Sequence, residues 1–368
     1  MNNIPSSPLI INLSMLLTKP TGIANYTNNL LRHFPLQYTS VLAQKYYQPQ
    51  IHKNPYFIAE KLSPDYGTKG HVSRILWTQT ELPNIFRQLK GNLLFSPCGE
   101  MPLFANIRTI VVVHDLIPLR FPRIQSLLTH YCRYILPLVC QQAVHIICNS
   151  KATADDLIEI LGVKAGKITP IPLGIDREKF KPLAEAKKSP SVRFFLYLGR
   201  HDPHKNLSRI IAAFAQFRYK KEYQLWIAGQ RDSRYTPPLK KQAKQLGIEN
   251  RVKFLDYVAE EELPKLLNQA EALLFPSLWE GFGFPVLEAM ACGTPVITSN
   301  VSSLPEVAGD AALLVNPTDV KEIASAMNLL VEDDTVKQQL RELGLKRVMA
   351  FSWEKTAQQT KEVLQEYL

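Results

Sequence analysis

A chain of 368 residues, at about 150 residues per domain, provides for two domains with full cores and excludes a peptide-sized or disulfide-stapled fold. Hydrophobic residues at 46% and charged ones at 21% exclude disorder of the whole chain. Lys and Arg at 43 against Asp and Glu at 33 leave a net charge of +10, which turns attention to anionic partners: nucleic acid, a phospholipid surface or a phosphorylated substrate.

The first half alternates short β-rich runs with longer amphipathic ones. Leu9–Leu13 reads as a strand, and Thr21-Gly22 opens a helix through Asn25 to Phe34. Asn92–Phe95, Thr109–His114 and Val144–Cys148 read as strands, continuous apolar runs that suit a sheet covered on both faces. Gln125–Gln142 has helical periodicity, and Ser150 caps a helix that runs to Leu161. The stretch from about Tyr46 to Ser73 is irregular and yields no assigned element.

A linker occupies about Gly174–Ser191, where Pro182, Ala184, Lys187, Lys188 and Pro190 dilute the apolar pattern. Beyond it Arg193–Leu198 reads as a strand, Gly199 as a turn and Asn206–Phe217 as a helix. Strand Tyr223–Ala228, Gly229, helix Pro238–Leu246, strand Val252–Leu255, helix Glu260–Ala270 and strand Ala272–Phe275 follow. Helix Pro285–Ala291, strands Pro295–Thr298 and Ala312–Val315, and two helices to about Ala350 complete a doubly wound parallel sheet. Ser352 caps a last helix that is expected to return to the first domain. The expected architecture is α/β, with Rossmann-like domains over 1–174 plus 353–368 and over 175–352. These are expected to face each other across a cleft at the carboxyl ends of their strands, where such sheets bind ligands.

The five cysteines, Cys98, Cys132, Cys140, Cys148 and Cys292, are odd in number and lack C-x-x-C spacing, so buried reduced thiols of a cytoplasmic protein are expected. The apolar stretch Pro8–Leu17 contains Asn12 and Ser14, is short for a bilayer and has no basic flank or cleavage site, so it reads as a first strand. Tyr134–Cys148 is broken by Pro137, Gln141, Gln142 and His145, so membrane contact is expected to be peripheral.

Chemistry concentrates in Pro276-Ser-Leu-Trp-Glu280-Gly-Phe-Gly-Phe-Pro-Val-Leu-Glu288-Ala-Met-Ala-Cys-Gly-Thr-Pro295, at a strand-to-helix junction. Glu280 falls on the loop at the strand's carboxyl end and Glu288 about one turn into the helix. Gly281 and Gly283 let the backbone approach a ligand, and Pro285 suits the first helical position. Exposed amides at such a helix start bind phosphate. Two carboxylates flanking an amide cradle suit a ligand with both hydroxyls and phosphate, such as a nucleotide sugar. Ordinary surface carboxylates beside a plain turn are the alternative.

This stretch resembles the signature of the retaining glycosyltransferases of family 4, which have the GT-B fold. Tyr197-Leu-Gly-Arg200-His-Asp-Pro-His-Lys205-Asn, Val252-Lys-Phe-Leu, Pro305-Glu-Val and Phe351-Ser-Trp-Glu-Lys-Thr-Ala agree with it. So do His114-Asp115-Leu, Cys148-Asn-Ser-Lys-Ala-Thr and Ile171-Pro-Leu-Gly-Ile-Asp176; the likeness is looser before about Gly91. The resemblance implies that Glu288 binds the donor's ribose hydroxyls and that Glu280 faces hydroxyls of the transferred sugar. It puts the amides of Phe282, Gly283 and Phe284 on that sugar and the phosphates, and Arg200 and Lys205 on the diphosphate. Fixed cations there would stabilise the charge on a departing nucleoside diphosphate. His114, at the end of an apolar strand, would contact the transferred sugar, with Asp115 bracing the loop or acting as a base. His145, His201 and His204 read as structural. Gly22 stands where the family usually has two glycines approaching the diphosphate; here Thr21 replaces one. Tyr257 and Val258 fall where backbone groups contact the base.

No D-x-D occurs, so neither a divalent metal nor another cofactor is expected. The resemblance implies same-face hexosyl transfer with retention, the leaving phosphate taking the acceptor's proton. Val113-His-Asp-Leu-Ile-Pro-Leu-Arg-Phe-Pro122 leans toward polysaccharide or lipopolysaccharide mannosyltransferases using GDP-mannose, with a UDP-hexose donor as runner-up. The expected acceptor is a glycan or a lipid-linked molecule. Scattered basic residues without a recognition motif count against nucleic acid. An epimerase of similar fold lacks the Glu280–Pro295 signature, and retained Arg200, Lys205, Glu280 and Glu288 count against a non-catalytic partner subunit. Part of the remaining charge suits an anionic membrane surface at the inner face.

Overall fold

A computed structural model describes residues 9–16, 22–34, 39–44, 56–183 and 192–368. Pro8, Leu17, Thr21, residues 46–55 and the linker residues Ala184, Lys187, Lys188 and Pro190 lie outside the described residues. The chain divides into two compact units, Met1–Gly174 with Trp353–Leu368, and Ile175–Ser352.

In the first unit β1 (Leu9–Asn12), β2 (Thr39–Gln44), β3 (Tyr56–Ile58), β4 (Leu93–Ser96), β5 (Thr109–Val113), β6 (His145–Cys148) and β7 (Ile168–Pro170) form a sheet in the order β3-β2-β1-β4-β5-β6-β7. Every pairing is parallel. β5 is buried at each position, as its unbroken Thr-Ile-Val-Val-Val run requires of a strand covered on both faces. The covering helices are α1 (Gly22–Arg32), α2 (Gly67–Thr80), α3 (Leu82–Gln88), α4 (Ile117–Arg120), α5 (Leu127–His130), α6 (Leu136–Gln142) and α7 (Lys151–Leu161). The Ser150 side chain accepts from the Thr153 amide at 3.1 Å and caps α7 as expected.

Two expectations are corrected here. α2, α3, β2 and β3 stand where the sequence yields no element. The helix expected over Gln125–Gln142 starts at Leu127 and is split by a π turn over Tyr131–Ile135. The cause is Pro137, which has no N–H to donate and whose ring crowds the carbonyl of Arg133, so the preceding turn widens and the Leu136 amide reaches back to Tyr131.

In the second unit β8 (Arg193–Leu198), β9 (Tyr223–Ala228), β10 (Val252–Leu255), β11 (Ala272–Phe275), β12 (Val296–Ser299) and β13 (Leu313–Val315) form a parallel sheet in the order β10-β9-β8-β11-β12-β13. Its helices are α8 (Leu207–Gln216), α9 (Thr236–Gln245), α10 (Leu263–Gln269), α11 (Phe284–Ala291), α12 (Leu304–Ala308), α13 (Val320–Glu332) and α14 (Asp334–Arg347). α8 buries Leu207, Ile210, Ile211 and Phe214, one stripe at helical spacing. At the ends of β8 and β9 the backbones pass so closely that a Cβ on Gly229 would stand 1.9 Å from the Gly199 carbonyl oxygen.

α15 (Trp353–Tyr367) belongs to the first unit. The Thr356 hydroxyl donates to the Pro172 carbonyl at 2.8 Å, and Asn92 donates to the Leu368 carbonyl at 2.8 Å. Tyr367 and His145 lie in hydrogen-bond contact at 3.0 Å. All five cysteines are free and buried. No described helix is long and apolar enough to cross a membrane.

Each sheet reverses its strand order once, between β1 and β4 in the first unit and between β8 and β11 in the second. Doubly wound sheets bind ligands outside the carboxyl ends of the strands at such a reversal.

Candidate active site

Arg200, Lys205, Glu280, Phe282, Gly283 and Phe284 lie on the two loops at the second unit's reversal point, whereas Tyr257 and Val258 follow the edge strand β10. β8 ends at Leu198 and delivers Gly199 to Lys205; β11 ends at Phe275 and delivers Pro276 to Phe284. Two hydrogen bonds join these two loops, and a third ties them to the segment after β13. The Leu278 amide donates to the His204 carbonyl at 2.7 Å. Asn206, in the left-handed region at φ 65°, donates its side-chain amide to the carbonyls of Pro276 at 2.8 Å and Pro317 at 2.6 Å. Asparagine tolerates that backbone better than most residues, which accounts for its place directly after Lys205.

With the loops joined, Lys205 Nζ donates to Glu280 Oε1 at 2.7 Å and Oε2 at 2.8 Å. Glu280 is buried, and the ammonium also lies 5.4 Å from the centre of the Phe275 ring. An ammonium has three N–H donors, so two held by Glu280 leave a third for an anion. Arg200 is separate: its side chain is exposed and pairs with Asp202 at 3.2 Å, while its backbone carbonyl accepts from the buried Tyr197 hydroxyl at 2.7 Å.

The Glu280 loop is also held from behind. The Glu280 amide donates to Ser302 Oγ at 3.2 Å, and the Ser303 hydroxyl lies 3.0 Å from the Glu280 carbonyl and 2.7 Å from that of Phe282. Neither serine stands out in the sequence, because Asn300-Val-Ser-Ser reads as an ordinary polar loop. Gly283 has φ 114°, and a Cβ there would sit 2.8 Å from Leu304 Cδ2, so this glycine is required by the backbone and by packing. The helix start is more covered than the sequence suggests. Phe282 and Gly283 are buried, with the Phe282 ring against Phe284 and Phe351, and Pro285 is the second helical residue rather than the first.

Glu288, in the second turn of α11, has its carboxyl pushed up to about 7, chiefly by loss of hydration. Lys179 opposes that shift and Glu260 adds to it, and these two pair with each other. Lys179 lies at the start of the unit, outside any motif. Tyr257 is exposed and Val258 half-buried in the loop after β10.

His114, Asp115 and Gly22 belong to the first unit. His114 follows β5, and its Nε2 lies 2.9 Å from the Pro97 carbonyl, which can only accept; Nε2 therefore carries the proton and Nδ1 is left as an acceptor. Burial lowers its pKa to about 4, so the ring is neutral near pH 7. The Tyr26 ring meets it edge-on at 5.0 Å. Asp115 Oδ1 accepts from the Ile117 amide at 3.0 Å, a bracing contact. Gly22 opens α1, exposed, with nothing within 4 Å of where a Cβ would stand.

His145, His201 and His204 are buried; His145 meets Thr169 at 2.8 Å and His201 meets Thr236 at 2.7 Å, both structural contacts.

Two parallel reversing sheets, with an ion pair and a glycine-led helix at the second reversal, define the GT-B class. The chain matches the family model of the group 1 glycosyl transferases over residues 177–347 and that of glycosyltransferase family 4 over residues 20–179. It belongs to this family of glycosyltransferases. It is 32% identical over 226 residues to the O-antigen chain mannosyltransferase B of Escherichia coli, covering 58% of each chain. It is likewise 32% identical over 226 residues to an MMP alpha-(1->4)-mannosyltransferase of Mycolicibacterium hassiacum, covering 60% of this chain and 54% of that one. The matches thus span little more than half the length of these curated relatives. Among solved structures, sucrose-phosphate synthase of Thermosynechococcus elongatus superposes with TM-score 0.77 at 21% identity over 98% of both chains. HepE of Anabaena, solved with UDP and glucose, gives TM-score 0.77 at 19% identity over 98% of this chain and 100% of that one. These two likenesses establish the fold.

Proposed function

We propose that the protein is a retaining, metal-independent hexosyltransferase that moves mannose from GDP-mannose to a hydroxyl of a glycan or lipid-linked acceptor, in cell-surface polysaccharide or glycolipid synthesis. The observation that carries this reading is the Lys205–Glu280 pair at the β8/β11 reversal. A partly covered ammonium with one N–H to spare suits a diphosphate leaving group, and a carboxylate that it fixes in place suits the hydroxyls of the transferred sugar. Arg200, exposed beside them, adds a second cation, and Glu288 receives the ribose hydroxyls. The amides of Phe282, Gly283 and Phe284 face the sugar and phosphates. Tyr257 and Val258 take the base, and Gly22 and His114 complete the donor contacts from the first unit.

In the reaction the bond from the sugar's anomeric carbon to the β-phosphate oxygen breaks. The acceptor oxygen bonds to that carbon on the same face, and its proton passes to the leaving phosphate. Neutral His114, with Nδ1 as an acceptor, orients the sugar without competing for that proton.

Mannose is supported by the names of the two mannosyltransferase relatives. A UDP-hexose donor is the second reading, supported by the UDP and glucose bound to HepE. A panel of nucleotide sugars, each incubated with the protein in chelator and analysed for free nucleotide and product anomer, tests both readings. Release of GDP from GDP-mannose with a retained anomer is expected; UDP release alone selects the second reading, and an inverted product overturns both.

A further inference from the structure

The segment around α5 and α6 is apolar on both sides. Its inner face, Cys132, Leu136, Val139 and Cys140, is buried in the core beneath β5 and β6. Leu127, Tyr134 and Leu138 of the same segment face solvent, as do Ile124 and Leu128 at its start. These side chains are 59% (Leu127), 61% (Tyr134), 44% (Leu138), 88% (Ile124) and 59% (Leu128) exposed. A helix that is hydrophobic all round is normally covered, and a contiguous exposed apolar patch marks a contact surface. The loop is held rigidly in this outward pose: His130 Nε2 lies 2.7 Å from the Ile124 carbonyl, and the Arg123 amide donates to Thr129 Oγ1 at 3.2 Å. The His130 and Tyr134 rings stack at 6.2 Å, 6° from parallel.

Charge selects the occupant. From Leu116 to Ala154 the chain has no Asp or Glu, while it has Arg120, Arg123, His130, Arg133 and Lys151. Arg120 is tied to Asp156, but Arg133 stands exposed next to Tyr134. Leucine and isoleucine with a tyrosine at their edge, flanked by cations and free of carboxylates, match the composition of helices that lie in the headgroup layer of a bilayer. We propose that Ile124, Leu127, Leu128, Tyr134 and Leu138 form a docking face that inserts shallowly into an anionic membrane surface, with Arg133 on the headgroups. This inference stands apart from the proposed reaction, since it concerns only where the first unit rests.

Vesicle sedimentation tests it. The wild-type chain should bind phosphatidylcholine vesicles containing about 30% phosphatidylglycerol and release them as salt rises from about 0.05 to about 0.5 M, while pure phosphatidylcholine holds little. Ile124→Ser/Leu127→Ser/Leu128→Ser and, separately, Arg133→Glu should each weaken binding about tenfold with unchanged melting temperature. All substituted side chains are exposed, so folding should survive, and Arg133→Glu keeps the apolar face intact as a second check. Wild-type failure to bind anionic vesicles, or variants that bind as wild type does, overturns the proposal. A dimer in light scattering that the triple variant abolishes would also overturn it, by giving the face to a second copy of the chain.

Discussion

Lys205 donates to both carboxylate oxygens of Glu280, at 2.7 and 2.8 Å, across 75 residues of sequence. The pair fastens the loop after β8 to the loop after β11 and leaves one ammonium N–H outward. Removing one partner strands the other: Lys205→Met leaves a covered carboxylate without its cation and should cost about 3 kcal/mol in denaturant unfolding. Lys205→Met/Glu280→Leu should restore most of that loss, while either single variant and the double variant should all lack transfer activity. Additive stability losses would show that the two side chains do not act together.

Gly22 and Gly283 should behave oppositely when changed to alanine. At Gly283 the backbone stands at φ 114° and a Cβ meets Leu304, so Gly283→Ala should lower stability by about 2 kcal/mol. At Gly22 nothing crowds a Cβ, so Gly22→Ala should leave the melting temperature unchanged or slightly higher and yet raise the donor KM about tenfold, as the proposed donor contact at this residue requires. A donor KM unaffected by Gly22→Ala would remove Gly22 from the site.

Ser303→Ala removes the single O–H that lies within hydrogen-bond distance of both the Glu280 and Phe282 carbonyls. The expected loss is about 1–2 kcal/mol of stability, with kcat falling more than the nucleotide Kd rises, since the loop's position rather than its charge changes. Equal proportional changes in both would reduce Ser303 to a structural role.

Glu288 and His114 pull the pH dependence in opposite directions. The Glu288 carboxyl, raised from 4.5 to about 7, makes the folded state hold an extra proton between those values, so this residue's contribution is most favourable on the acid side and is lost as pH rises through about 7. His114, lowered from 6.5 to about 4, makes the unfolded state the better proton binder; its contribution is present above 6.5 and lost as pH falls toward about 4. Unfolding curves of Glu288→Gln and His114→Gln across this range should each lose one of these slopes. In the proposed donor contact the Glu288 carboxylate accepts from the ribose hydroxyls, so the wild-type donor KM should fall as pH rises through about 7, and Glu288→Gln should flatten that trend.

The second unit was largely legible from its sequence. Its central strands β8, β11 and β12 are buried on both faces and so read as apolar runs, separated by glycines and prolines that mark the loops, and the Glu280–Glu288 stretch falls on the strand-to-helix junction where the structure has it. The first unit hid more. α2 buries Gly70, Arg74, Trp77 and Thr78, a face whose arginine and threonine erase the apolar period. Arg74 is covered there only because it forks onto Glu100, at 2.9 and 2.7 Å, and no local pattern announces that partner. α12 was missed because it is a five-residue turn of helix. The Lys205–Glu280 pair, the Ser302 and Ser303 supports, and the Lys179 and Glu260 neighbours of Glu288 join distant segments that carry no shared periodicity.

The most direct test of the account is turnover of labelled GDP-mannose in chelator by the wild-type chain and by Lys205→Ala and Glu280→Gln, with the anomer of the product read by NMR. The account predicts an α-linked product with retention from the wild type and a loss of about 100-fold or more in kcat/KM for each variant. An inverted product, or wild-type turnover in both variants, would contradict it.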